Sequence, residues 1–258
     1  MVICMFSSFL ALSPIRQALI SGLFTFSITT LGSALILFFK EIKKFVLDAM
    51  LAISAGIMLA ASFFPLLNPA IELTNSWILI STSFILGGIL LLICDNYLNK
   101  LCHKNNSLSS LKASLMLFIS ITLHNIPEGL VIGVAYASVT HNNIIGALSL
   151  TLGIAIQNFP EGSAISFPLR RDGISKFKSF MFGSLSAIVE PIAAMIGAFL
   201  VLKIQSLLPA ILSFTAGAMI FVTVLELIPE SQGNKKQGLM TLFLMLGFAL
   251  MMILEIAL

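Results

Sequence analysis

TLHNIPEGLVIGVA, residues 122–135, sets His124, Asn125, Pro127 and Glu128 inside an otherwise apolar run. GIAIQNFPEGSAISFPLR, residues 153–170, repeats the arrangement with Gln157, Asn158, Pro160 and Glu161. The flanking residues are apolar on every face, which is the pattern of a helix buried in protein or lipid. Composition decides between the two. Of 258 residues, 58% are apolar and only 10% are charged, with a mean hydropathy of +1.07. An ordinary soluble domain carries roughly a quarter charged residues. So few charges cannot cover a soluble surface of this size. A soluble globular enzyme, a disordered chain and a nucleic-acid binder are therefore excluded, and the chain reads as an all-α polytopic membrane protein.

A membrane span needs about 20 mainly apolar residues. Eight transmembrane helices are predicted, over about 17–39, 47–67, 77–94, 112–139, 144–168, 179–202, 207–229 and 238–257. The connections are short, so residues 1–258 read as one transmembrane domain. The net charge is only +3, and its placement is more informative than its size. Lys40, Lys43 and Lys44 follow span 1, while Lys100, Lys104 and Lys112 follow span 3. Arg170, Arg171, Lys176 and Lys178 follow span 5, and Lys235 and Lys236 follow span 7. Only Arg16 and Lys203 fall on the opposite side. Basic residues collect on the cytoplasmic side, so both termini are expected outside. The first 13 residues carry no basic residue ahead of their apolar run, which argues against a cleaved signal peptide. Cys4, Cys94 and Cys102 form no disulfide framework and no structural zinc motif.

The buried polar residues carry the chemistry. An ionised carboxylate at the bilayer centre costs at least roughly 2.5–3.5 kcal/mol. Glu128, Glu161 and Glu190 fall in consecutive spans, and the sequence offers no buried Lys or Arg to pair with them. A bound cation is the economical partner. His124 and Glu128 are four apart, as are Gln157 and Glu161; Asn125–Glu128 and Asn158–Glu161 are three apart. Residues at these spacings share a helix face. Each segment thus offers two ligand pairs built on one glutamate. With Glu190 alongside, the two segments can form two adjacent cation sites. Imidazole with oxygen donors suits zinc, iron(II), manganese or cobalt.

Pro127 and Pro160 each remove a backbone hydrogen bond. The freed carbonyls are tolerable only where protein or a wet cavity lines them. Broken helices at this depth are expected, as in transporter binding sites. Gly129 and Gly162 allow close helix approach. A second, weaker repeat relates Ala55-Gly56-Ile57-Met58 with Pro65 and Pro69 to Ala216-Gly217-Ala218-Met219 with Pro229. Both repeats pair spans of opposite direction, so inverted internal repeats are expected.

At TLHNIPEGLVIGVA (122–135), GIAIQNFPEGSAISFPLR (153–170), VEPIAAMIGAFL (189–200), AGIMLAASFFPLLNPAIE (55–72) and ELIPES (226–231), the chain resembles the ZIP family of divalent-metal transporters. The likeness is nearest to its short, mainly bacterial GufA-like branch. It implies an eight-helix fold, uptake of metal toward the cytosol by alternating access, a homodimer, and a transport bundle sliding against the remaining helices. It also implies two adjoining metal sites. The first would use Met58, His124, Glu128, Gln157 and Glu161, and the second Asn125, Glu128, Asn158, Glu161 and Glu190. Some relatives carry His at the position of Gln157 or Asp at that of Asn158; both are neutral amides here, so a broader or weaker site is expected. The zinc or related ion is cargo, and no organic cofactor is expected. The plasma membrane, in a bacterium the inner membrane, is the expected location.

Around the site, Glu226 and Glu230 read as a solvated helix end in preference to an exit site, and Glu72 as a solvated loop charge. His141 and Glu255 read as outer end residues, and His103 is all that remains of a histidine-rich loop. Two other classes stay open at this stage. An intramembrane metal-dependent hydrolase would need several strong ligands with one open position, and the chain has no HExxH. A cation channel would use the same residues as a carrier.

Overall fold

Pro14 starts the first helix, where its missing N–H costs nothing. The computed structural model describes residues 9–39, 41–103, 109–138, 144–233 and 236–257, with side chains except at 98–117 and 120. The described residues form helices without strands. They are α1 (Pro14–Phe38), α2 (Lys44–Leu73), α3 (Trp77–His103), α4 (Ser109–Ser138), α5 (Ile144–Arg171), α6 (Lys176–Lys203), α7 (Gln205–Ser231) and α8 (Gln237–Ala257). Among the described residues, six segments are long and apolar enough to cross a membrane: α1, α2, Trp77–Tyr97 of α3, α6, α7 and α8. The motif-bearing α4 and α5 lie outside that set, at 30 and 28 residues. At 1.5 Å per residue they are about 45 and 42 Å long, enough for a bilayer core.

The helices are polar inside and apolar outside. In α1, Gln17, Ser21, Thr25, Thr29 and Ser33 recur every four residues and are all buried. Leu23, Phe24 and Leu31 on the same helix are exposed. The Thr29 hydroxyl donates to the carbonyl of Thr25 at 3.3 Å, a local bond that makes Thr cheap inside an apolar helix. The outward apolar side chains have no polar surroundings to face in a bilayer, which accounts for Ile85, Leu86, Leu242 and Leu246 standing exposed.

Four helix pairs make the most extensive contacts: α4 with the second half of α6, α1 with α5, α3 with α7, and α2 with α8. Together with contacts of α1 to α4 and α6, these gather α1, α4, α5 and α6 into one group and α2, α3, α7 and α8 into another. The groups meet chiefly where α2 packs on α5 and α7 on α4. Glycines set the closest approaches. A Cβ on Gly32 would strike the carbonyl of Phe159, and one on Gly162 that of Thr29, so α1 and α5 are each locked against the other's glycine. Gly56 and Gly247 do the same for α2 and α8.

Both α2 and α7 widen into one π turn, Phe63–Leu67 and Thr223–Leu227, just ahead of Pro69 and Pro229. There the amide of Asn68 donates to the carbonyl of Phe63, and that of Ile228 to Thr223. The wider turn makes room for a proline ring whose carbonyl partner four residues back is lost.

The expected broken helices are not found in α4 and α5. Helical geometry runs on through Pro127 in α4 and through Pro160 and Pro168 in α5. Each proline removes a single rung of the ladder, and packing on neighbouring helices holds the rest. Cys4, Lys40, Lys104, His141 and Lys235 lie outside the described residues, as do the side chains of Lys100, Cys102, His103 and Lys112.

Candidate metal site

One turn of α4 and one turn of α5 face each other across the middle of the bundle. His124 and Glu128 on α4 and Glu161 on α5 each offer a ligand atom, and these atoms lie within 4.8 Å of one another. All three residues are buried. His124 Nε2 lies 3.5 Å from Glu128 Oε1, as their four-residue spacing dictates. From α2, Met58 brings its sulfur to 3.2 Å from the same His124 nitrogen. Gln157 Nε2 donates to Glu128 Oε1, a short contact that ties α5 to α4.

A second group sits beside the first. Asn158 Nδ2 donates to both carboxylate oxygens of Glu190, each at 2.9 Å. Glu190 is not drawn into the three-residue cluster. Asn125, next to His124 in the chain, is fully buried, and neither its nitrogen nor its oxygen finds a protein partner. His124 Nδ1, Glu128 Oε2, Gln157 Oε1, Asn158 Oδ1 and both oxygens of Glu161 are likewise buried without a hydrogen bond. Buried polar atoms are nearly always satisfied, and such a concentration of unanswered acceptors is the arrangement a cation completes. Among the described residues no Lys or Arg is buried, so no side-chain cation can do it.

The structure thus brings together Met58, His124, Glu128, Gln157 and Glu161, and sets Asn158, the residue after Gln157, on Glu190. Met58 was indicated only by the family resemblance. Four neighbours went unnoticed in the sequence. The Ser54 hydroxyl on α2 donates to the main-chain carbonyl of Gln157 at 2.8 Å. The Thr223 hydroxyl on α7 approaches the Met58 sulfur at 3.7 Å. Thr25 and Thr29 on α1 stand beside Glu190, with their hydroxyls donating to the carbonyls of Gly22 and Thr25 in their own helix. The one available signal was the four-residue spacing of Ser54 and Met58, which puts both on one face of α2.

Of the outlying acids, Glu230 and Glu72 are exposed, as a solvated position requires, and Glu72 accepts from Asn68 Nδ2 at 3.1 Å. Glu226 differs from a solvated end: it is half-buried on the π turn of α7. Glu255 is also half-buried, and its Oε2 has no partner. Glu230 lines a cavity of about 830 Å³ with Asp48, Arg170, Arg171 and Lys176, where α2, α5, α6 and α7 end together.

Comparison with known proteins gives a consistent result. A family model described as ZIP zinc transporter matches residues 106–255. The zinc transporter ZIPB of Bordetella bronchiseptica is 34% identical over 95% of this chain and 82% of its own length. The zinc transporter ZIP11 of Xenopus tropicalis is 30% identical over 95% of this chain and 98% of its own. The zinc transporter GufA of Myxococcus xanthus is 29% identical over 93% and 98%, respectively.

Proposed function

The chain belongs to the ZIP zinc transporter family, and on that premise we propose that it moves zinc, with iron(II), manganese or cobalt as further cargo, into the cytosol through the α4–α5 cluster. It is a transporter and not an enzyme, which sets aside the hydrolase reading. The observation that carries the proposal is the convergence of His124, Glu128 and Glu161 within 4.8 Å, wholly buried and, among the described residues, with no buried basic residue to neutralise them. A divalent ion supplies the missing charge. His124, Glu128, Glu161, Met58 and Gln157 form one position; Asn125, Asn158 and Glu190, sharing Glu128 and Glu161, form the adjoining one.

In this reading α4 and α5 cross the membrane with the other six helices, making eight spans in a single domain. Exchanging α1 with α6, α2 with α7, α3 with α8 and α4 with α5 maps each of the four main helix pairs onto another. It also maps one π turn onto the other. That correspondence supports an inverted repeat, the architecture suited to alternating access. The group α1, α4, α5 and α6 carries most of the ligands and is the moving element. The group holding α2 supplies Met58 and is the fixed one, which in a homodimer also forms the contact between copies. Both termini face outward and the membrane is the plasma membrane, in a bacterium the inner one.

The test is uptake into proteoliposomes containing the purified protein, comparing Zn²⁺, Fe²⁺, Mn²⁺, Co²⁺ and Mg²⁺. Saturable transition-metal uptake that disappears in Glu128→Ala is expected. Undiminished zinc uptake in that variant would overturn the site.

A further inference from the structure

Glu190 is treated by the fold differently from the other two buried glutamates. Glu161 leaves both oxygens without a partner, and Glu128 leaves Oε2 without one. Glu190 leaves neither: Asn158 Nδ2 spans both oxygens at 2.9 Å. A carboxylate whose two oxygens both accept from one amide group already has protein partners. It has no need of a metal. Asn158 brings donors but no charge.

The charge balance then favours a single ion. Glu128 and Glu161 contribute two negative charges, while Met58, His124, Asn125 and Gln157 are neutral ligands. One divalent cation balances that pair. With Glu190 counted, one ion leaves a single negative charge, which the Asn158 N–H groups hold, whereas a second would leave a single positive charge on ions whose further ligands are all neutral, and an uncompensated buried charge is strongly disfavoured. Drawing Glu190 in would require Asn158 to give up its bonds, and would still leave three carboxylates against two divalent ions. Gln157 poses no such obstacle in the first position. It donates to only one oxygen of Glu128 and keeps its own Oε1 unpartnered.

We infer that the two adjoining positions hold one divalent ion at a time, and that the Asn158–Glu190 pair is what keeps a second ion out. The inference rests on the proposal that the α4–α5 cluster carries the metal. Equilibrium dialysis of the full-length, metal-stripped protein in nanodiscs against radioactive zinc counts bound ions directly. One ion per chain is expected in the unaltered protein and in Glu190→Gln. Two are expected in Asn158→Asp, which has the same shape and adds a carboxylate. Two ions in the unaltered protein, falling to one in Glu190→Gln, would overturn the inference; so would a single ion in Asn158→Asp. The double variant Glu128→Ala/Glu161→Ala separates the two claims. If it keeps its ion, the cluster itself is misassigned; if it binds none while the unaltered protein binds two, only the single-ion inference fails.

Discussion

Ser54 offers a measurable test of how the two helix groups set the site. Its buried hydroxyl donates to the Gln157 carbonyl at 2.8 Å, and one turn further along α2 Met58 reaches His124 at 3.2 Å. The hydroxyl therefore fixes the register of α2 on α5 that delivers Met58 to the metal position. Ser54→Ala removes one hydrogen bond. The carbonyl it leaves still accepts within the helix ladder, so no acceptor is orphaned. The cost is that of a net buried hydrogen bond, about 0.5–1.5 kcal/mol. At 1.4 kcal/mol per decade this is roughly a 2- to 12-fold loss in the docked, metal-competent arrangement. Zinc uptake in proteoliposomes reads it as a rise in KM by about that factor, with the maximal rate not reduced, because the bond must break when the groups move past each other. An unchanged KM would refute the register argument. A collapse of the maximal rate comparable to that of Glu128→Ala would refute it too, since one hydrogen bond cannot account for such a loss.

Two further predictions follow from packing and ligand chemistry. Gly162→Ala drives a Cβ into the Thr29 carbonyl and the Ser33 amide of α1, an overpacking of roughly 1–3 kcal/mol. Its thermal midpoint in detergent should fall by roughly 2–12 °C, whereas Gly238→Ala, with nothing within 4 Å, should leave it unchanged; equal midpoints for the two would contradict the close α1–α5 approach. Gln157→His replaces an amide beside Glu128 with a second imidazole, which favours zinc over manganese. The zinc-to-manganese uptake ratio should rise about tenfold, equivalent to ~1.4 kcal/mol, and an unaltered ratio would remove Gln157 from the ligand set.

The polar core was legible because polar residues are conspicuous in an apolar chain. His124, Glu128 and Glu161 stand out against their flanks, and the four-residue spacing puts His124 and Glu128 on one face of their helix. The helix limits were legible for the same reason: the span predicted over 238–257 is observed as Gln237–Ala257. What stayed hidden was what lipid-embedded helices conceal well. Ser54, Thr25, Thr29 and Thr223 are small, and serine and threonine commonly bond their own helix backbone, so nothing marks the ones that stand at the site. Prolines were read as breaks in α4 and α5, yet the widening occurs in α2 and α7, where Pro69 and Pro229 follow a π turn. Periodicity does not report whether a helix absorbs a proline by bending, widening or stopping; the neighbours decide. Glu226 looked like a helix end because the sequence says nothing of the π turn on which it is half-buried.

The central claim is that zinc is held by the His124–Glu128–Glu161 cluster, and zinc-edge X-ray absorption on the zinc-loaded protein tests it most directly. The account predicts a shell of nitrogen and oxygen ligands at about 2.0–2.2 Å, with the imidazole signature lost in His124→Ala and the whole bound-zinc signal lost in Glu128→Ala/Glu161→Ala. A bound-zinc spectrum unchanged by those substitutions would place the ion elsewhere and contradict the account.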